Sequence, residues 1–170
     1  MAASWVSGGC GESSPPPSSS APAAARSAAT TSIAAGTADA CALLTAAKIA
    51  EVVGNPVKPG QPNAGPEVCK WRTEQSSETD VLLTVRLKDS LREKVLCGDV
   101  RKAAAAGSGT GGIGEAARWV FSRTGTLFNS GELEVCDAKG YVNVSLNGQL
   151  DEATLKAAAM KLAREVLSRL

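Results

Sequence analysis

The chain has 170 residues, with 18 basic and 17 acidic side chains and a formal net charge of +1. So even a balance argues against nucleic acid as a partner, which would favour a basic stripe, and the absence of histidine removes the commonest metal ligand and the commonest acid–base group near neutral pH. No run of 18 or more apolar residues occurs, so no stretch of the given sequence reads as a transmembrane helix. Aromatic residues make up only 4% of the chain, which predicts an aliphatic core with Trp71, Trp119, Phe121 and Phe128 as its few large members.

Residues 1–40 are rich in Ser, Ala, Pro, Gly and Thr, with Pro15, Pro16 and Pro17 followed by a run of serines. Such a segment buries too little apolar area to offset its ordering entropy and reads as a disordered linker. Near its start, Ser7, Gly8 and Gly9 lead directly into Cys10. Small residues before a cysteine and a Ser/Pro-rich stretch after it resemble a bacterial lipobox, although Ser7 stands where an aliphatic residue is expected. This reading makes Cys10 a lipidation site. Ala2, Ala3, Trp5 and Val6 then form the tail of a truncated apolar signal, and Met1 is an internal start. The alternative is an ordinary disordered tail with a stray cysteine.

The folded part is expected over residues 41–170 as one α+β domain. Thr45 is a good helix N-cap, and Leu44 and Ile49 stand at the two positions of a hydrophobic staple. Ile49, Val52 and Val53 make one apolar stripe, and Gly54 followed by Asn55 and Pro56 ends the helix. A helix over 45–53 is too short to be stable alone. Cys41 precedes it, and Cys69 opens a run with strand-like alternation over 68–73. A bond between these two cysteines would pin helix to strand across a flexible loop at 55–67; two buried free thiols are the competing reading.

After a polar turn at 74–79, residues 80–87 are β-rich, with Leu83, Val85 and Leu87 on one face and Leu82 on a partly covered second face. A hairpin with the Trp71 strand is the simplest pairing. Ser90 and Glu93 have the spacing of a capping box. They open a helix expected to turn Leu91, Val95 and Leu96 inward and to continue through Val100 to the alanines at 103–106, with a break near Gly98. Residues 107–114 contain two overlapping Gly-x-Gly-x-x-Gly patterns. A dinucleotide site needs a strand before such a pattern and a helix after it. The predicted order here is the reverse, so a flexible connection is the better reading.

Strands are expected over 117–123 and 126–129, the second closed by Ser130 and Gly131, with 132–136 extending the hairpin region. A turn at 137–140 leads into 141–146, where Val142, Val144 and Leu146 alternate with Tyr141, Asn143 and Ser145. Asp151 can cap the last helix. Leu155, Ala159, Leu162, Val166 and Leu170 form the stripe that docks this helix on the sheet.

Of the five cysteines, Cys41, Cys69, Cys97 and Cys136 fall in the folded part, and four cysteines allow three connectivities. Cys41–Cys69 with Cys97–Cys136 is preferred, because each bond then joins a helix edge to a strand edge. Such bonds persist outside the cytosol. A zinc site is the weaker alternative, since no Cys-x-x-Cys pair occurs.

The order of these motifs carries a family likeness. Cys41-Ala-Leu-Leu-Thr45, a helix ending in Gly54, Cys69-Lys-Trp71, and the Gly-x-Gly-x-x-Ala turn from Gly112 to Ala117 together resemble the actinobacterial cell-envelope lipoproteins of the uncharacterised 3558 family, over about residues 40–170. That family is a domain of unknown function, so the resemblance implies an address and no catalytic residues. The expected fold is an antiparallel sheet of about five strands with N-terminal, middle and C-terminal helices packed on it. The expected function is a non-enzymatic, extracytoplasmic binding or structural module, with no cofactor and no metal. A lipid on Cys10 would anchor it to the cell membrane, and its partner would be an unknown protein or small molecule. The alternative is a secreted enzyme or enzyme accessory using Glu115, Asp137 and Asp151, the acids beside glycine-rich turns.

Overall fold

The computed structural model describes residues 38–74, 79–124 and 128–170. Cys10, the linker up to residue 37, most of the polar turn at 74–79 and the start of the strand expected at 126–129 lie outside the described residues. The elements in chain order are α1 (Ala40–Leu43), α2 (Ala46–Val53), β1 (Gln61–Pro62), β2 (Val68–Arg72), β3 (Thr79–Leu87), α3 (Leu91–Ala103), β4 (Ala116–Thr124), β5 (Phe128–Asp137), β6 (Gly140–Gly148) and α4 (Glu152–Arg169). A π-type turn, Ala104–Ser108, follows α3. The fold is α+β: the strands form one six-stranded sheet in the order β1-β2-β3-β6-β5-β4, antiparallel throughout.

Strand alternation divides the sheet into two unlike faces. Cys69 and Trp71 of β2, Val81, Leu83 and Val85 of β3, Leu133 and Val135 of β5, and Val142, Val144 and Leu146 of β6 form one apolar core with α1, α2 and α4. From α4 come Leu155, Ala159, Leu162 and Val166, all fully buried as their helical spacing predicts. On the other face α3 covers a small second cluster of Cys97, Val100, Cys136 and Tyr141.

The helix ends follow their local chemistry. Thr45 Oγ1 accepts from the Lys48 amide at 3.2 Å, and Leu44 and Ile49 are both buried. Gly54 takes the left-handed conformation, φ 78°, that ends α2. Ser90 Oγ accepts from the Glu93 amide at 3.0 Å, but the Glu93 carboxylate reaches back to the amide of Asp89 rather than of Ser90.

Six expectations need correction. The fold begins before residue 41: Ala38 and Ala40 are buried, and Asp39 caps α1 through the Cys41 amide. The loop at 55–67 is not free, because Val57 bridges to Thr73 and β1 pairs with β2 at the sheet edge. α3 runs unbroken through Gly98. Leu96 packs against the cluster beneath α3 and Val100 is fully buried, but Leu91 and Val95 are 81% and 58% exposed, and Glu93 and Cys97 turn inward in their place. Gly131 does not close a strand but lies inside β5: a Cβ there would stand 2.3 Å from Cη2 of Trp119, whose ring lies across it. Phe128 is 39% exposed and is no core residue.

Candidate functional site

The four folded-part cysteines are brought together in two bonds. Cys41 is bonded to Cys69, Cα–Cα 5.1 Å, and Cys97 to Cys136, Cα–Cα 5.5 Å. The first ties α1 to β2, and the second ties α3 to β5. Cys69 and Trp71 share a face, and Gly60 crosses both: a Cβ on Gly60 would fall 2.5 Å from Trp71 Nε1 and 2.7 Å from Cys69 Sγ. The edge ribbon thus rests directly on the sulfur and the indole. Disulfides point to an oxidising, extracytoplasmic compartment.

The second sheet face is polar. Its cross-strand register places Thr84, Asn143, Glu134 and Arg118 in one row, and Lys70, Leu82, Ser145 and Glu132 in the next. Glu134 is only 7% exposed. It receives two donors from the Arg118 guanidinium and one from the Tyr141 hydroxyl at 3.0 Å. Burial, and then the neighbouring Glu134 carboxylate, hold the Tyr141 hydroxyl well above its usual range. Asn143, also buried, donates to Glu132 at 2.6 Å. Arg86, on the same face, pairs with Glu67; its own burial and then the nearby Arg92 lower its proton affinity. Glu134, Arg118, Tyr141, Asn143 and Glu132 are thus partnered with one another in a structural network, whereas Arg86 Nε is buried with no hydrogen-bond partner among the described residues.

At the β1 edge the same face opens into a cleft of about 310 Å³, lined by Lys58, Pro59, Gln61, Pro62, Asn63, Lys70 and Arg72. Val57 pairs with Thr73, and Gln61 with Lys70. The outer ribbon therefore carries one residue more than β2 over this stretch, as in a β-bulge. The bulged segment is held by Lys58 N–H donating to Arg72 O at 2.9 Å and Asn63 N–H donating to Val68 O at 2.8 Å. Asp80 of β3 stands beside the cleft, 2.7 Å from Lys70 and 3.8 Å from Arg72. A second hollow, about 390 Å³, lies between α2 and α4, where Lys48 pairs with Glu51 and Arg169 with Glu165.

The acids of the enzyme alternative each have a local partner. Glu115 pairs with Arg101 at 3.2 Å. Asp137 accepts from the Lys139 amide in the β5–β6 turn. Asp151 caps α4, and the Thr154 amide and hydroxyl that it accepts hold its carboxyl below the usual range. Among the described residues no group of three or more His, Cys, Asp or Glu side chains is placed to hold a metal ion, and no helix is long and apolar enough to cross a membrane. The sequence reading did not single out the edge cleft; the signal was present in the alternation of Lys70 and Arg72 with Cys69 and Trp71. No family model and no curated protein matches the chain.

Proposed function

We propose that this chain is a non-enzymatic, envelope-associated domain: a disulfide-stapled binding or structural module, anchored to the membrane by a lipid on Cys10. The observation that carries the reading is the pair of disulfides, each fastening a helix to the sheet, since bonds of this kind belong to folding in an oxidising compartment. The likeness of its cysteine, glycine and tryptophan motifs to the 3558-family envelope lipoproteins supports the same address. The local partners of Glu115, Asp137 and Asp151 favour a binding or structural role over a catalytic one.

Expression of the complete gene in an actinobacterial host, with fatty-acid labelling and fractionation, tests this. The wild type is expected in the membrane fraction and labelled, with Cys10→Ser unlabelled and released. Equal labelling of both, or recovery of the wild type from the cytosol with reduced thiols, refutes it.

A further inference from the structure

Lys58, Lys70 and Arg72 converge on one cleft that no carboxylate lines, with the side-chain amides of Gln61 and Asn63 beside them and Pro59 and Pro62 as apolar wall. In a chain of net charge +1, this is a local concentration of positive charge. Lys70 is taken up by Asp80 at 2.7 Å, whereas Arg72 reaches the same carboxylate only at 3.8 Å. Among the described residues Lys58 has no ion-pair partner. The surplus next to the cleft is therefore two positive charges, carried mainly by Lys58 and Arg72.

The cleft is also prepared in advance. Its outer wall is the bulged ribbon, hydrogen-bonded to β2 at both ends and seated through Gly60 on Trp71 and the Cys69 sulfur. Cys69 is in turn bonded to Cys41. A wall that needs no ordering on binding leaves more of the interaction free energy for the ligand.

We infer that this cleft binds a dianionic phosphate monoester carried on a small polyol or glycerol scaffold. The guanidinium of Arg72 offers a planar fork for two phosphate oxygens, and Lys58 offers a point charge. Gln61 and Asn63 offer donors and acceptors to hydroxyl groups, and the prolines offer a surface to the carbon chain. Two surplus positive charges match a dianion better than a monocarboxylate. The phosphate could belong to a free metabolite or to a lipid headgroup. The inference deepens the binding-module reading and is independent of the anchor, so failure of the Cys10 labelling leaves it standing.

NMR titration of the purified chain with glycerol 3-phosphate tests it, with acetate as comparison. Saturable shifts are expected at residues 58–63, 70 and 72, with much weaker binding of acetate. Lys58→Ala and Arg72→Ala, both at exposed positions, should each weaken binding by about tenfold, and Lys161→Ala at the other hollow should leave it unchanged. Asp80→Asn removes the competing carboxylate and should tighten binding severalfold, a gain that misfolding cannot mimic. Affinity should fall as pH drops through about 6, where the phosphate loses its second charge, because the protein has no histidine to titrate there. Co-sedimentation with vesicles containing phosphatidic acid separates the sources: binding that needs Arg72 assigns a lipid headgroup, and its absence assigns a free ester. No saturable shift, equal binding of acetate, or undiminished binding by Arg72→Ala overturns the inference.

Discussion

Replacing Cys41 and Cys69 together by alanine should cost this domain a large part of its stability while leaving its native fold intact in the cold. The bond spans 28 residues, and the chain-entropy model assigns such a loop about 12 cal/mol/K, or about 3.6 kcal/mol at 25 °C. Loss of the two sulfurs adds a packing term, since Cys69 is fully buried beneath Gly60 and beside Trp71; removing buried atoms of this size costs roughly 1 kcal/mol. The total, about 4–5 kcal/mol, is comparable with the whole stability of a weak domain, typically about 5–15 kcal/mol. For a domain of this size it corresponds to a fall in melting temperature on the order of 10–20 °C. The Cys97–Cys136 bond, spanning 39 residues, should cost about 3.9 kcal/mol by the same relation, so the two double variants should melt close together. Thermal unfolding followed by far-UV circular dichroism gives the melting point, and near-UV bands of the tryptophans at low temperature report whether packing survives. Most of the loss acts on the unfolded chain, so those bands should persist. A melting point within about 3 °C of wild type, against the magnitude expected from the lost bond, would refute the reasoning, as would a non-reducing peptide map that joins Cys41 to Cys97 or Cys136.

Tyr141 is the chain's one tyrosine, so its ionisation can be read at 295 nm. Its hydroxyl is held above the ordinary value near 10 by burial and Glu134. The associated stability should be fully present below about pH 10 and lost as pH rises beyond it; Tyr141→Phe should remove that alkaline slope, and a midpoint near 10 in folded protein would contradict the burial argument. Arg118→Leu leaves the buried Glu134 carboxylate without its cation and should destabilise by about 3–5 kcal/mol in urea; a loss below about 1 kcal/mol would mean that the carboxylate finds solvent. Gly131→Ala drives a methyl group into the Trp119 ring and should cost about 1–3 kcal/mol by chemical denaturation, whereas unchanged stability would place that ring elsewhere. Leu91→Glu on the outward side of α3 should change stability by no more than about 0.5 kcal/mol, while Val100→Ala on its inward side should cost about 2 kcal/mol; a loss from Leu91→Glu as large as that from Val100→Ala would restore the inward Leu91 expected from periodicity.

Local chemistry determined much of the fold from the sequence. Thr45, Ser90 and Asp151 each cap a helix where a short polar side chain meets the first orphan amides. The two-residue period of Val142, Val144 and Leu146 and the helical period of Leu155, Ala159, Leu162 and Val166 are patterns in one dimension that specify which side meets the core. Those patterns read correctly because each of these elements packs against a single large apolar surface.

The tertiary structure decided the rest, because it depends on partners far apart in the chain. α3 turns Cys97 and Val100 inward because Cys136, 39 residues away, lies beneath it, and that overrides the apolar pull of Leu91 and Val95. Gly131 continues a strand because the Trp119 ring needs the space above it, and residues 57–62 become a sheet edge because β2 offers its free main-chain groups. The cleft is the clearest case. Lys58 is separated from Lys70 and Arg72 by a proline-containing segment, and only the cross-strand register, with its extra residue, brings the three cations to one place.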